Sequence, residues 1–276
     1  MSARHRVLAV MLGCGLAAAL HGPAAAQVSV APQRLVFDRP GRVLAVTITN
    51  TDVQERTFDL SLIDRIMTDA GDIVEAAAPV PFSARDHLLV TPRRVTIAAG
   101  RSQVVRIRAT PPADGMERRS HLTIAALPLP GAGATADQLL AGGQFSMRID
   151  VAVGISIPLI TRSNRPDARA EVAHPRPIIR QAAAEAGAPA VQVPGLLVDV
   201  QRLGASSLYG NLVVRAANGS VLGQINGIGV YPEVSARGAN VALNRIPRSG
   251  ERLTVLFTDA QDEIGRILAS LNYSWP

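Results

Sequence analysis

The chain has 276 residues, with 28 basic side chains against 22 acidic ones and only 3% aromatic residues. Every basic side chain is arginine, placed singly or in pairs such as Arg93-Arg94 and Arg118-Arg119. A nucleic-acid surface wants a basic stripe interleaved with stacking rings, so this pattern argues against one.

The first segment reads as a targeting signal. Arg4 and Arg6 precede an apolar run from Val7 to Leu20, and Ala24-Ala25-Ala26 ends in a small-x-small pattern before Gln27. The run is too short to span a bilayer and no stop-transfer signal follows, so residues 1–26 are expected to be a cleaved secretory signal peptide. The mature chain is then soluble, with no membrane insertion. The only cysteine, Cys14, lies inside this run. A lipid-attachment box would have to begin at Met11, a poor fit, after only a short apolar stretch. Cleavage at Ala26 leaves 26 arginines against 22 acids and no thiol, so disulfide and thiolate chemistry are excluded. The remaining length suits one large domain or two of ordinary size.

From Val28 to Leu127 the chain reads as short strands between turns. Val28-Ser-Val opens one, and Arg34-Leu-Val-Phe resumes it after Pro32. Arg42 to Asn50 alternates and stops at the turn cluster Asn50-Thr51-Asp52; Thr57 to Asp64 follows, then the turn Asp69-Ala-Gly-Asp. Leu88-Leu-Val, Val95-Thr-Ile, Ser102 to Arg108 and His121 to Leu127 continue the series. Strands at this spacing without a helical period indicate an all-β sandwich of immunoglobulin type. Leu129 to Gln144 is small and flexible in composition and reads as a long loop.

Phe145 to Leu159 is the most regular stretch. Met147, Ile149, Val151, Val153, Ile155, Ile157 and Leu159 are apolar, and the positions between them are polar, small or proline. An ordinary strand of about 5–6 residues needs only about three inward side chains. Two readings are open: one long core strand crossing between packing environments, or a strand partly lent to another molecule.

Asn164 to Pro194 holds five prolines and an alanine run from Ala182, and reads as linker and loop around one short strand, with a helical turn or two conceivable in the alanines. The β pattern returns at Leu196-Leu-Val-Asp-Val and recurs at Leu212, Gly227, Asn240, Leu253 and Ile267. The expectation is two immunoglobulin-like β-sandwich domains in tandem, over 27–160 and 161–276, the second with a Pro/Ala-rich entry segment.

Chemistry is sparse. His87, His121 and His174 fall in no H-E-x-x-H or G-x-S-x-G frame, no metal-ligand cluster has usable spacing, and Gly131-Ala-Gly-Ala lacks the third glycine of a dinucleotide loop. No enzyme, metal or cofactor is expected.

Several segments, in order, resemble the periplasmic pilus-assembly chaperones of the chaperone–usher pathway, the PapD-like proteins. Val28-Ser-Val-Ala-Pro-Gln-Arg-Leu-Val-Phe-Asp is similar to that family's first strand, with Arg34 at its cleft arginine. Val46-Thr-Ile-Thr-Asn resembles the second strand. Thr91-Pro92 and Gly100-x-x-Gln103-Val-Val-Arg-Ile resemble the family's proline and its P-G-x-x-Q-x-x-R-I run, with Ala99 replacing proline. Ser120 to Pro128 is similar to the F strand, which makes Phe145 to Leu159 the G strand. Farther on, only Ser207-Leu-Tyr-Gly-Asn-Leu and Asn226-Gly-Ile-Gly-Val-Tyr look like segments of divergent members.

The resemblance implies a periplasmic chaperone that caps pilus or fimbrial subunits by donating its G strand and delivers them to an outer-membrane usher. Met147, Ile149, Val151 and Val153 would be the donor strand, while Ile155 and Ile157 would serve the chaperone's own core. The family holds the subunit's terminal carboxylate with its cleft arginine and a G-strand lysine. Here the lysine's place is taken by Ser156, so the anchor would be Arg34 with Ser156, the guanidinium facing a solvated cleft. The family's acidic residue at the start of the F strand is replaced by Arg119, and self-association of the empty protein is a further expectation. The alternative is a structural or adhesion-related two-domain sandwich whose own strand is fully satisfied.

Overall fold

The structure, a computed structural model, describes residues 28–276 apart from 40, 111–113, 115, 129–153, 163, 183–190 and 263. Its described elements are strands and one 3-10 turn (Arg85–His87). In chain order the first half contains β1 (Val28–Ala31), β2 (Leu35–Phe37), β3 (Val43–Asn50), β4 (Arg56–Ile63), β5 (Arg65–Met67), β6 (Ile73–Glu75), β7 (Leu88–Thr91), β8 (Arg94–Ile97), β9 (Ser102–Ala109), β10 (Arg118–Ala126) and β11 (Gly154–Thr161). A four-stranded sheet, β1-β3-β9-β7, faces a five-stranded one, β2-β11-β10-β4-β8. β5 and β6 form a separate hairpin.

The period-two pattern explains the sandwich. In β9, Val105, Ile107 and Ala109 are buried while Arg106 and Arg108 are exposed, because successive side chains leave a strand on opposite faces. Phe37, Phe58, Ile107, Leu122, Ile157 and Leu159 meet in the first core. Each such side chain, fully buried, stabilises the fold by roughly 1.5–3 kcal/mol.

The second half contains β12 (Ala170–Ala182), β13 (Val191–Arg202), β14 (Leu208–Ala216), β15 (Val221–Val230), β16 (Ala236–Ala242), β17 (Arg252–Asp259) and β18 (Ile267–Ser274). β12-β13-β16 forms one sheet and β15-β14-β17-β18 the other. Leu196, Val214, Val241, Val255 and Phe257 lie in the second core. Ile160 and Met67 are buried in that same core and Val36 packs against it, so the first sandwich lends apolar side chains to the second. β11 therefore serves two interiors: Leu159 points into the first core and its neighbour Ile160 into the other.

One expectation changes. Asn164 to Pro194 is not mainly linker, since β12 is a 13-residue strand paired with β13 along its length. Its prolines hid it. β12 is an edge strand, where Pro175 and Pro177 are tolerated, and a register shift between Ala173 and Arg176 accommodates them with His174 at φ 49°. The helical reading of the alanine run falls on 183–190, outside the described residues. So do Met147, Ile149, Val151 and Val153; the described part of the Phe145–Leu159 stretch is β11, which continues to Thr161.

Candidate functional site

β11 is paired along its whole length on one side only. β10 runs antiparallel to it from Gly154 to Thr161. On the other side β2 runs parallel and covers only Leu159 to Thr161. Among the described residues no strand pairs with Gly154 to Pro158 on that side. The Arg162 N–H donates to the Phe37 carbonyl across the β2 side at 3.0 Å. Strand alternation then directs the N–H groups of Ser156 and Gly154 to the open edge. Pro158 falls in the same phase, where its missing N–H costs β10 nothing. Ile157 on the inward face is buried at 2% exposure, and Ile155 packs against the same core.

The outward face of this sheet runs under the second sandwich and becomes polar there. Arg34 lies in the turn between β1 and β2, where the chain passes from one sheet to the other. Its guanidinium does not face a solvated cleft as expected. Nη1 donates to the Tyr231 hydroxyl at 2.9 Å, and the group stacks 4.4 Å from the ring centre of Tyr209. Both tyrosines belong to the second sandwich. The Nε and Nη2 donors, which form one side of the planar fork, are buried without a partner. Ser156 shares this face but is not in contact with Arg34; its hydroxyl lies 3.3 Å from that of Thr123.

Arg119 is the central tie. Its side chain is 2% exposed, its Nη2 bridges to Glu233 of the second sandwich, and its guanidinium lies 3.6 Å from the centre of the Tyr231 ring. The same Nη2 donates to the Arg65 carbonyl at 2.8 Å, while Glu233 accepts from the Met67 N–H at 2.7 Å. Arg119, which replaces the acid of the family that the sequence resembles, is thus ion-paired to the second sandwich through Glu233. A buried pair is costly to break, because removing one partner strands the other charge.

Glu117, with a side chain 2% exposed, accepts from the Ser207 N–H at 3.1 Å and faces Arg162 at 3.8 Å. Arg162 also donates to Gln261 at 2.8 Å. Burial pulls the Arg162 guanidinium below its usual pKa, against the opposing pull of Glu117. His121, opposite Pro158 in the ladder, is pushed down to about 3 by burial and by the positive charges of Arg119, Arg65 and Arg34. It is neutral at ordinary pH. Arg34, Arg65, Arg119 and Arg162 thus cluster here, and donors on all four, like one oxygen each of Glu117 and Glu233, are buried without a partner. Such an arrangement can hold an anion through paired N–H groups. Among the described residues no three metal-ligating side chains converge.

Sequence reasoning found Arg34 and the strand but missed Tyr209, Tyr231, Glu117 and Glu233. A signal existed: two of only three tyrosines lie in Ser207-Leu-Tyr-Gly and Gly227-Ile-Gly-Val-Tyr, the second-half segments with a family resemblance.

No protein-family model matches the chain, and no curated protein matches it. Solved structures are similar in architecture. The YadV chaperone is 13% identical with a TM-score of 0.46, over 91% of this chain and 100% of that one. The CupB2 chaperone of Pseudomonas aeruginosa is 12% identical with a TM-score of 0.44, over 90% and 100%. A Salmonella enterica structure of the SafA pilin with the SafB chaperone is 14% identical with a TM-score of 0.44, over 90% and 96%. Likeness at this level carries no argument about function.

Proposed function

We propose that the protein is a periplasmic chaperone that caps pilus or fimbrial subunits by strand donation and passes them to an outer-membrane usher. The observation that carries the reading is the open edge of β11 from Gly154 to Pro158. Strand addition gives affinity through main-chain hydrogen bonds, and alternate side chains fill the partner's pockets. An exposed edge is otherwise a liability that proteins blunt or cover. In this reading the residues preceding β11, with Met147, Ile149, Val151 and Val153, extend the donated strand. Arg34 anchors the subunit's terminal carboxylate once the seating subunit uncovers its buried Nε and Nη2 donors, with the Ser156 hydroxyl as a secondary contact.

The competing reading is a structural or adhesion-related sandwich protein. It draws on the Tyr231 hydroxyl and Tyr209 ring, which already give Arg34 an interdomain role. Tagged full-length protein purified from the periplasm separates the two. The chaperone reading expects a small secreted subunit to co-purify. Arg34→Ala should then weaken its capture by about 1.5–3 kcal/mol, the range for a hydrogen bond to a charged group. Protein that always purifies alone would overturn the reading.

A further inference from the structure

The four-stranded sheet of the first sandwich turns a second, different face to solvent. Across its central strand, Leu89, Arg108 and Val43 lie side by side, and next to them Thr91, Arg106 and Ala45. All six are exposed. The remaining outward positions are valine, alanine, serine and threonine, with Val104 at 42% exposure. No outward position of this sheet is a carboxylate. Arg106 and Arg108 stand two residues apart on one face, roughly 7 Å by strand geometry. Neither guanidinium has a hydrogen bond or ion pair among the described residues. The outward face of the opposite sheet differs, because there Arg94 is paired with Asp59 at 3.0 Å.

Two like charges held at strand spacing repel, and here nothing on the face answers them. On either side of Arg108 stand Leu89 and Val43, 55% and 53% exposed. We propose that this face docks an acidic segment of another protein. That segment, extended, would turn two carboxylates at alternate positions towards Arg106 and Arg108, its own backbone lying over Leu89 and Val43. A nucleic acid would want stacking rings, and this face has none. A membrane surface would want a protruding apolar face and a larger cluster of cations. The proposal goes beyond the capping reading, since β11 belongs to the other sheet.

The test uses the full chain and a short fluorescent peptide alternating aspartate with valine and threonine. The wild type should bind it. Arg106→Gln with Arg108→Gln should weaken binding about tenfold, the sum of two exposed ion pairs, while melting temperature and subunit capture stay unchanged. Arg85→Gln with Arg252→Gln removes equal charge from exposed sites elsewhere and should leave binding intact. The proposal is overturned by equal loss in both double variants or by loss in neither. It also fails if a peptide with its aspartates contiguous binds as well, or if phosphatidylglycerol vesicles bind through these arginines and the peptide does not.

Discussion

The two halves of β11 share one alternating pattern and meet different surroundings. Leu159 to Thr161 is paired on both sides and runs beneath the second sandwich, where Ile160 enters the other core and Arg119 stands opposite it. Gly154 to Pro158 is paired on one side, yet still buries Ile157 inward. Neither half's role follows from its residue types. What separates them is where β2 ends: three residues of parallel pairing close one half and leave the other as an edge. The covered half holds the two sandwiches together, and the open half is the part able to accept another strand.

That contrast can be broken from several directions. The largest effect is expected at Ile157, whose side chain is inward although its backbone edge is open. Ile157→Asp buries an unpaired carboxylate and should destabilise the first sandwich by more than about 4 kcal/mol, read as loss of the cooperative melt. A folded variant would mean that the open half does not belong to the core.

Next comes the covered half. Glu233→Ala leaves Arg119 buried without its carboxylate and should cost about 3–5 kcal/mol in urea unfolding. The Glu233→Gln variant keeps the acceptor for the Met67 N–H and should cost less. Equal losses would assign the effect to the charge rather than to that hydrogen bond.

His121 sits at the border between the halves, opposite Pro158. Its pKa falls from 6.5 to about 3 on folding. The unfolded chain therefore binds the extra proton first on acidification. The stability linked to this group is complete above pH 6.5 and is lost as pH falls towards 3. The slope is at most about 1.4 kcal/mol per pH unit. Melting curves of wild type and His121→Gln should converge on acidification through that window. Parallel curves would show that His121 titrates alike in both states.

The smallest effect on stability is expected beyond the open half. Val151→Asp should change the melt by no more than about 0.5 kcal/mol, as for a surface position, while abolishing capture of a subunit. A loss as severe as that of Ile157→Asp would make Val151 a core residue.

Much of the first sandwich was legible because its strands alternate cleanly. Ser102 to Ala109 is an example: every second residue from Val105 is buried. β12 was not, since Pro175 and Pro177 resemble a linker until one knows that they lie on an edge beside a bulge. β5 and β6, three residues each, are too short for a period, although the turn between them was visible. At the site, Arg34 was legible only through its neighbours in the first-strand match. Its partner Tyr231 lies 197 residues away, and no local pattern reports such a contact. The exchange of charge at Arg119 is similar. The arginine looked like a lost acid until Glu233, 114 residues on, was seen to complete the pair.

Strand donation requires the edge of β11 to be open in the free protein and covered in the complex. Amide hydrogen exchange at Ser156 reads this directly, because its N–H points to that edge. Fast exchange is expected in the free protein, and strong protection once a co-purified subunit is bound. Protection already present in the free protein, or exchange unchanged in the complex, would contradict it.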